Sequence, residues 1–140
     1  MNRLMAKPSP QLLRGVHLFA GLDDGDLESL AEEFNERRFG PGDTVALEGS
    51  GGLMFFVVQS GEASVQVHGE EVGRLGPGDS FGEIALIDRR PRTATVTADG
   101  DFTCFGLPVF VFRPFVEARP QVAWALLEAM ADRLEAAESR

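Results

Sequence analysis

The tetrapeptide Gly-Pro-Gly-Asp occurs twice, at Gly40–Asp43 and at Gly76–Asp79. Each copy follows an apolar residue, Phe39 or Leu75, and precedes a strand-like run. Proline presets the turn backbone and glycine supplies the conformations other residues avoid, so both copies turn the chain. A turn that recurs between short runs points to repeated strand connections rather than to duplicated domains. The runs themselves have a period of two. Ala63, Val65 and Val67 alternate with Ser64, Gln66 and His68; Ala94, Val96 and Ala98 alternate with Thr93, Thr95 and Thr97. Leu53 to Val58 is apolar throughout, as expected of a strand covered on both faces. Several short strands between glycine turns predict a sandwich or barrel over residues 37–107, with jelly-roll topology as the natural candidate.

Helical patterns flank this zone. In residues 9–36, Leu27, Leu30, Ala31 and Phe34 form one apolar stripe, and Asp23 is placed to cap their helix with Asp26 three residues on. A short preceding helix is expected around Gln11 to Val16, with Leu18, Phe19 and Leu22 packing the join. In residues 108–140, Pro108 suits a helix start, Pro114 is expected to kink or break that helix, and Pro120 opens a longer one. Val122, Leu126, Met130 and Leu134 recur every four residues there, widened by Leu127. This amphipathic stripe suits docking onto the barrel, and equally a movable lid or a dimer seam. At 140 residues the whole reads as a single domain, 1–140.

Charge and chemistry narrow the function classes. The formal net charge of −9 argues against a nucleic-acid partner, which requires basic surface. It leaves room for a small anion in a locally positive pocket; Arg89, Arg90 and Arg92 form a local basic cluster, in which Arg89 and Arg90 read as a solvated loop and Arg92 as the candidate ligand contact. No apolar run approaches the roughly 20 residues of a membrane span, and residues 1–10 carry no apolar signal core, so a cytoplasmic protein is expected. Cys104 is the single cysteine, set in an apolar run, and reads as a packed core thiol. His17 and His68 are far apart, no phosphate loop ending in Gly-Lys-Ser/Thr exists, and no metal-ligand cluster is visible. Neither an enzyme nor a cofactor or metal is expected.

Residues Phe81 to Val96 carry the chemistry: Phe-Gly-Glu-Ile-Ala-Leu-Ile-Asp-Arg-Arg-Pro-Arg-Thr-Ala-Thr-Val. A helix start offers free backbone N–H groups to an anion. The Arg92 guanidinium, six residues past the helical run, is a planar fork for two phosphate oxygens. The Glu83 carboxylate can accept from a hydroxyl. Taken singly, Glu83 reads as a helix-start carboxylate, Arg92 as half of a surface ion pair and Gly82 as a turn. Their occurrence in one ordered cassette shifts the balance toward a small anion bearing a sugar hydroxyl. Phe81, Leu86 and Ile87 read as core.

Phe81-Gly82-Glu83-Ile84-Ala85-Leu86, followed by Pro91-Arg92-Thr93-Ala94, resembles the phosphate-binding cassette of the cyclic nucleotide-binding domain family. That family includes kinase regulatory subunits, nucleotide-gated channels and the bacterial catabolite activator. Leu18-Phe19 with Leu22 and Leu27, the Gly42-Asp43 turn, Ser60-Gly61 and Gly76–Asp79 extend the resemblance over nearly the whole chain. It implies a mainly β fold, an eight-stranded jelly roll (double-stranded β-helix) with N-terminal helices, a cassette at 81–94 and a C-terminal helical lid. It also implies roles. Glu83 would hold the ribose 2′-hydroxyl and Arg92 the cyclic phosphate. Backbone N–H groups of Ile84, Ala85 and Ala94 would complete the cradle, Gly82 would allow close approach, and Thr93 would face purine or phosphate. Arg133 or Leu134 would cap the base.

The resulting expectation is a sensor of cAMP, with cGMP as an alternative ligand. With no DNA-binding, channel or kinase segment after the last helix, it would signal to a protein partner through its C-terminal helices, alone or as a homodimer. A ligand-independent interaction module on the same fold is the competing expectation; a small jelly-roll enzyme ranks last for want of catalytic groups.

Overall fold

A computed structural model of the chain describes residues 6–47, 49, 54–87 and 93–138. Helix α1, Pro10–Arg14, a 3-10 turn, His17–Phe19, and helix α2, Asp24–Ala31, come first. The Asp23 carboxylate accepts from the Asp26 N–H at 2.8 Å, which is the cap expected from the sequence. Helix α1 ends earlier than the Gln11–Val16 expectation: the Gly15 N–H closes it on the Gln11 and Leu12 carbonyls, and Val16 donates to the Leu13 carbonyl and buries its side chain.

Eight strands follow among the described residues: β1 Asn35–Phe39, β2 Thr44–Ala46, β3 Met54–Ser60, β4 Ala63–Val67, β5 Glu70–Leu75, β6 Ser80–Phe81, β7 Thr95–Ala98 and β8 Phe102–Pro108. They form two antiparallel sheets, β1-β8-β3-β6 and β2-β7-β4-β5, in a jelly-roll arrangement. The two Gly-Pro-Gly-Asp turns are equivalent. Asp43 accepts from the Gly40 N–H at 2.7 Å and Asp79 from the Gly76 N–H at 2.8 Å. In the first, the Gly42 N–H donates to Ala98 and the Ala98 N–H donates back to Asp43; in the second, Gly78 and Asp79 do the same with Val58. One turn thus leads into each sheet, so the repeat reflects the pseudo-symmetry of the roll.

The alternation of side chains along the strands creates two cores. Phe56 and Val58 of β3, with Phe102 and Cys104 of β8, point between the sheets to meet Ala46, Ala63, Val96 and Ala98. Phe55, Val57, Phe105 and Leu107 point the other way, into a layer built by the helices. The first sheet is therefore covered on both faces, which is why β3 is apolar without interruption. The second sheet is covered on one face and keeps threonines at the alternate positions of β7. Strand β4 stops at Val67: His68 (φ +52°) and Gly69 (φ +82°) form the tight turn into β5, so His68 does not continue the alternation expected of it.

Helices α3, Val109–Glu117, and α4, Pro120–Glu138, close the chain. The break expected at Pro114 does not occur. Pro114 sits on the exposed side of α3, where water can satisfy the Phe110 carbonyl that loses its N–H partner. The α4 stripe docks in part: Val122, Leu126 and Ala129 are buried, whereas Leu127, Met130 and Leu134 are exposed. It packs on the His17–Phe19 turn and on α3, and contributes to the helical core rather than lying on the barrel.

Candidate functional site

Strand β6 delivers the cassette. Its register, Phe56 opposite Phe81, stacks the two rings at 4.9 Å, with Phe81 against the inter-sheet core. Gly82 then turns the backbone with φ +84°, a conformation that costs a side-chain-bearing residue but not glycine. A 3-10 turn, Glu83–Leu86, follows, and Leu86 is buried in the other, helical core. The segment is thereby pinned at both ends, one in each core; its i to i+3 bonding engages the Ala85 N–H with the Gly82 carbonyl and leaves the Glu83 and Ile84 N–H groups without a partner inside the turn. The helical run expected in the cassette is thus one 3-10 turn.

Glu83 is largely enclosed, with its side chain 24% exposed, and its Oε1 accepts from Arg133 Nη1 on α4. Beside it lies a cavity of about 590 Å³. Its walls are Arg74 and Leu75 of β5, Gly78 and Asp79 of the second turn, Ser80 of β6, Arg133, and the Gly15–His17 segment. The rim is charged but balanced. Arg74 donates to Asp99, to Glu62 at 3.3 Å and to Glu71 at 3.5 Å, and the hydrogen bonds to Asp99 and Glu62 hold its pKa above the ordinary value. His17 Nε2–H donates to the Ala129 carbonyl at 2.9 Å, fastening α4 one turn before Arg133.

The other expected residues fall as follows. Thr93 is exposed and Ala94 half-buried, both immediately before β7, so they precede that strand rather than alternate within it. Arg92, with Arg89, Arg90 and Pro91, lies outside the described residues, as does Leu53. Leu134 is exposed, and Arg133 lines the cavity and is engaged with Glu83. Sequence reasoning missed Arg74 and its three carboxylates, and it missed the pairing of Arg133 with Glu83. The partners are far apart in the chain and carry no local pattern. Cys104 is fully buried, and desolvation pushes its thiol up to about 12, which leaves no thiolate for nucleophilic chemistry at neutral pH. Among the described residues no group of three His, Cys, Asp or Glu side chains could hold a metal, and no helix is long and apolar enough to cross a membrane.

Known proteins are similar to this chain in sequence and fold. The family profile for the cyclic nucleotide-binding domain matches residues 36–119. The human potassium/sodium hyperpolarization-activated cyclic nucleotide-gated channel 4 is 33% identical over 125 residues, 89% of this chain and 10% of the channel. The cAMP-dependent protein kinase regulatory subunit of Yarrowia lipolytica is 33% identical over 115 residues, 80% of this chain and 31% of that subunit. The chain therefore spans a minor part of either relative. The N-terminal domain of a transcriptional regulator from Streptomyces coelicolor A3(2) superposes with a TM-score of 0.85 at 35% identity, covering 91% of this chain and 95% of that one. A roll carrying Glu83 on a turn pinned between two cores, matched by that profile over more than half its length, places this chain in the cyclic nucleotide-binding domain family.

Proposed function

We propose that the chain is a sensor that binds cAMP, or alternatively cGMP, beside Glu83 and passes occupancy to a protein partner through α3 and α4. The observation that carries this reading is the placement of Glu83, the first residue of the 3-10 turn, at the wall of the 590 Å³ cavity. A carboxylate on the cavity wall at the start of a helical turn suits a hydroxyl and an anion held on the same small molecule. In this reading Glu83 accepts from the ribose 2′-hydroxyl. The N–H groups of Ile84, Ala85 and Ala94 face the cyclic phosphate, Gly82 gives it room, and Thr93 lines the mouth.

The counter-cation is assigned to Arg92. Both arginines on the described cavity wall are already matched to carboxylates, Arg74 to three and Arg133 to one. The relatives support the ligand class: one is named for gating by cyclic nucleotides and another for dependence on cAMP. The exposed side chains of Trp124, Leu127, Met130 and Leu134 support a protein partner, or a second copy, at α4. The setting is taken to be cytoplasmic.

Isothermal calorimetry of Arg92→Ala tests the assignment. Removing one member of an enclosed charge pair costs about 3–5 kcal/mol, so affinity for the cyclic nucleotide falls by at least about a hundredfold. Unchanged affinity in that variant removes Arg92 from the site. Absence of heat from the unmodified, folded chain with either nucleotide leaves the ligand-independent interaction module as the better reading.

A further inference from the structure

The contact between Arg133 and Glu83 joins the far half of α4 to the cassette across 50 residues of sequence. Glu83 is the enclosed partner, at 24% exposure against 55% for Arg133. Every described residue from Met130 to Glu138 is exposed, so apolar burial does not hold this half of the helix. His17 fastens α4 at Ala129, and the next polar link to the roll is Arg133 on Glu83. We infer that Arg133 is a positioning residue for the nucleotide: it fixes the Glu83 carboxylate so that the second oxygen meets the ribose 2′-hydroxyl. This inference rests on the nucleotide reading above.

The chemistry has three parts. A carboxylate has two oxygens and about four lone-pair sites, so a guanidinium on Oε1 leaves Oε2 free to accept from a hydroxyl. An enclosed carboxylate beside an anionic phosphate repels it, and Arg133 offsets that charge. A glutamate side chain also has several rotamers, and the guanidinium selects one of them before the ligand arrives. Arg74, the other described arginine on the cavity wall, cannot replace it, because Asp99, Glu62 and Glu71 hold its guanidinium. One ion pair thus links the far half of α4 to recognition of the ribose.

The test compares cAMP with 2′-deoxy-cAMP by calorimetry on the whole chain, as wild type, Arg133→Ala, Arg133→Lys, Glu83→Ala and the double alanine variant. Wild type is expected to prefer cAMP by about tenfold or more, the worth of one hydrogen bond to a charged group. Arg133→Ala lowers the preference toward unity, Glu83→Ala does the same, and the double variant loses little beyond either single change. Arg133→Lys, a cation without the fork, gives an intermediate preference. Arg133 is exposed, so the folded state tolerates these changes, and circular dichroism checks that.

A merely structural role for Arg133 would weaken both nucleotides equally and keep their ratio, which overturns the inference. A rise in cAMP affinity in Arg133→Ala also overturns it, since the arginine would then be competing with the ligand. If wild type binds both nucleotides equally, the ribose role of Glu83 and this inference fall while nucleotide binding stands. If wild type binds neither, the nucleotide reading itself falls.

Discussion

Gly61 shows how a single residue sets the roll. It turns β3 into β4 with φ +86°, and a Cβ built there would lie 2.2 Å from the Asp101 carbonyl oxygen. The obstacle is backbone on the loop before β8, which cannot swing aside as a long side chain would. Gly61→Ala therefore combines a left-handed backbone penalty of about 1–2 kcal/mol with a steric clash. The expected loss of stability exceeds about 2 kcal/mol, measured as a shift in the urea midpoint at constant slope. Gly82 faces the same conformational demand at φ +84°, where its geometry aims Glu83 along the cavity wall. The residue that opens the cassette turn and the residue that closes the roll are thus constrained by the same backbone physics.

Among the elements, α4 divides into a docked half and a free half. Leu126 is 7% exposed and contributes to the helical core, whereas Leu134 on the same four-residue stripe is 61% exposed. Leu126→Ala should cost about 2–5 kcal/mol by leaving a cavity, and Leu134→Ala should stay within about 0.5 kcal/mol. Thermal or urea unfolding of the two variants separates them; equal losses would mean that the whole stripe is docked. The sequence pattern shows that α4 is amphipathic, but which apolar residues are covered depends on how far the His17–Phe19 turn and α3 extend beneath it. Features with local causes are legible: the twin turns, the Asp23 cap, the doubly covered β3 and a helical turn that starts at Glu83. The continuity of α3 through Pro114 is not, because it depends on which side of the helix faces solvent. The Arg133–Glu83 pair is not either, because only the closed roll brings residues so distant in sequence together.

At the scale of the whole molecule, the titration of the core distinguishes this fold from a loosely packed one. The chain has no tyrosine and a single lysine, Lys7, so few groups besides Cys104 change charge in moderate alkali. Burial raises the Cys104 thiol from 9.0 to about 12 in the folded chain, so above pH 9 the folded state holds a proton that the unfolded state releases. That contribution to stability is complete below pH 9 and is lost as pH rises toward 12, by up to about 1.4 kcal/mol per unit. Urea midpoints across this range should fall in the native chain and fall less steeply in Cys104→Ala; parallel slopes would show that the thiol is not responsible. The same packed roll holds the cassette turn between its two cores and presents Glu83 to the cavity. The central claim is that a cyclic nucleotide binds there, and calorimetric titration of the folded chain with cAMP and with cGMP tests it most directly. The account predicts saturable heat at one nucleotide per chain for at least one of the two; a flat trace with both, from protein shown to be folded, would contradict it.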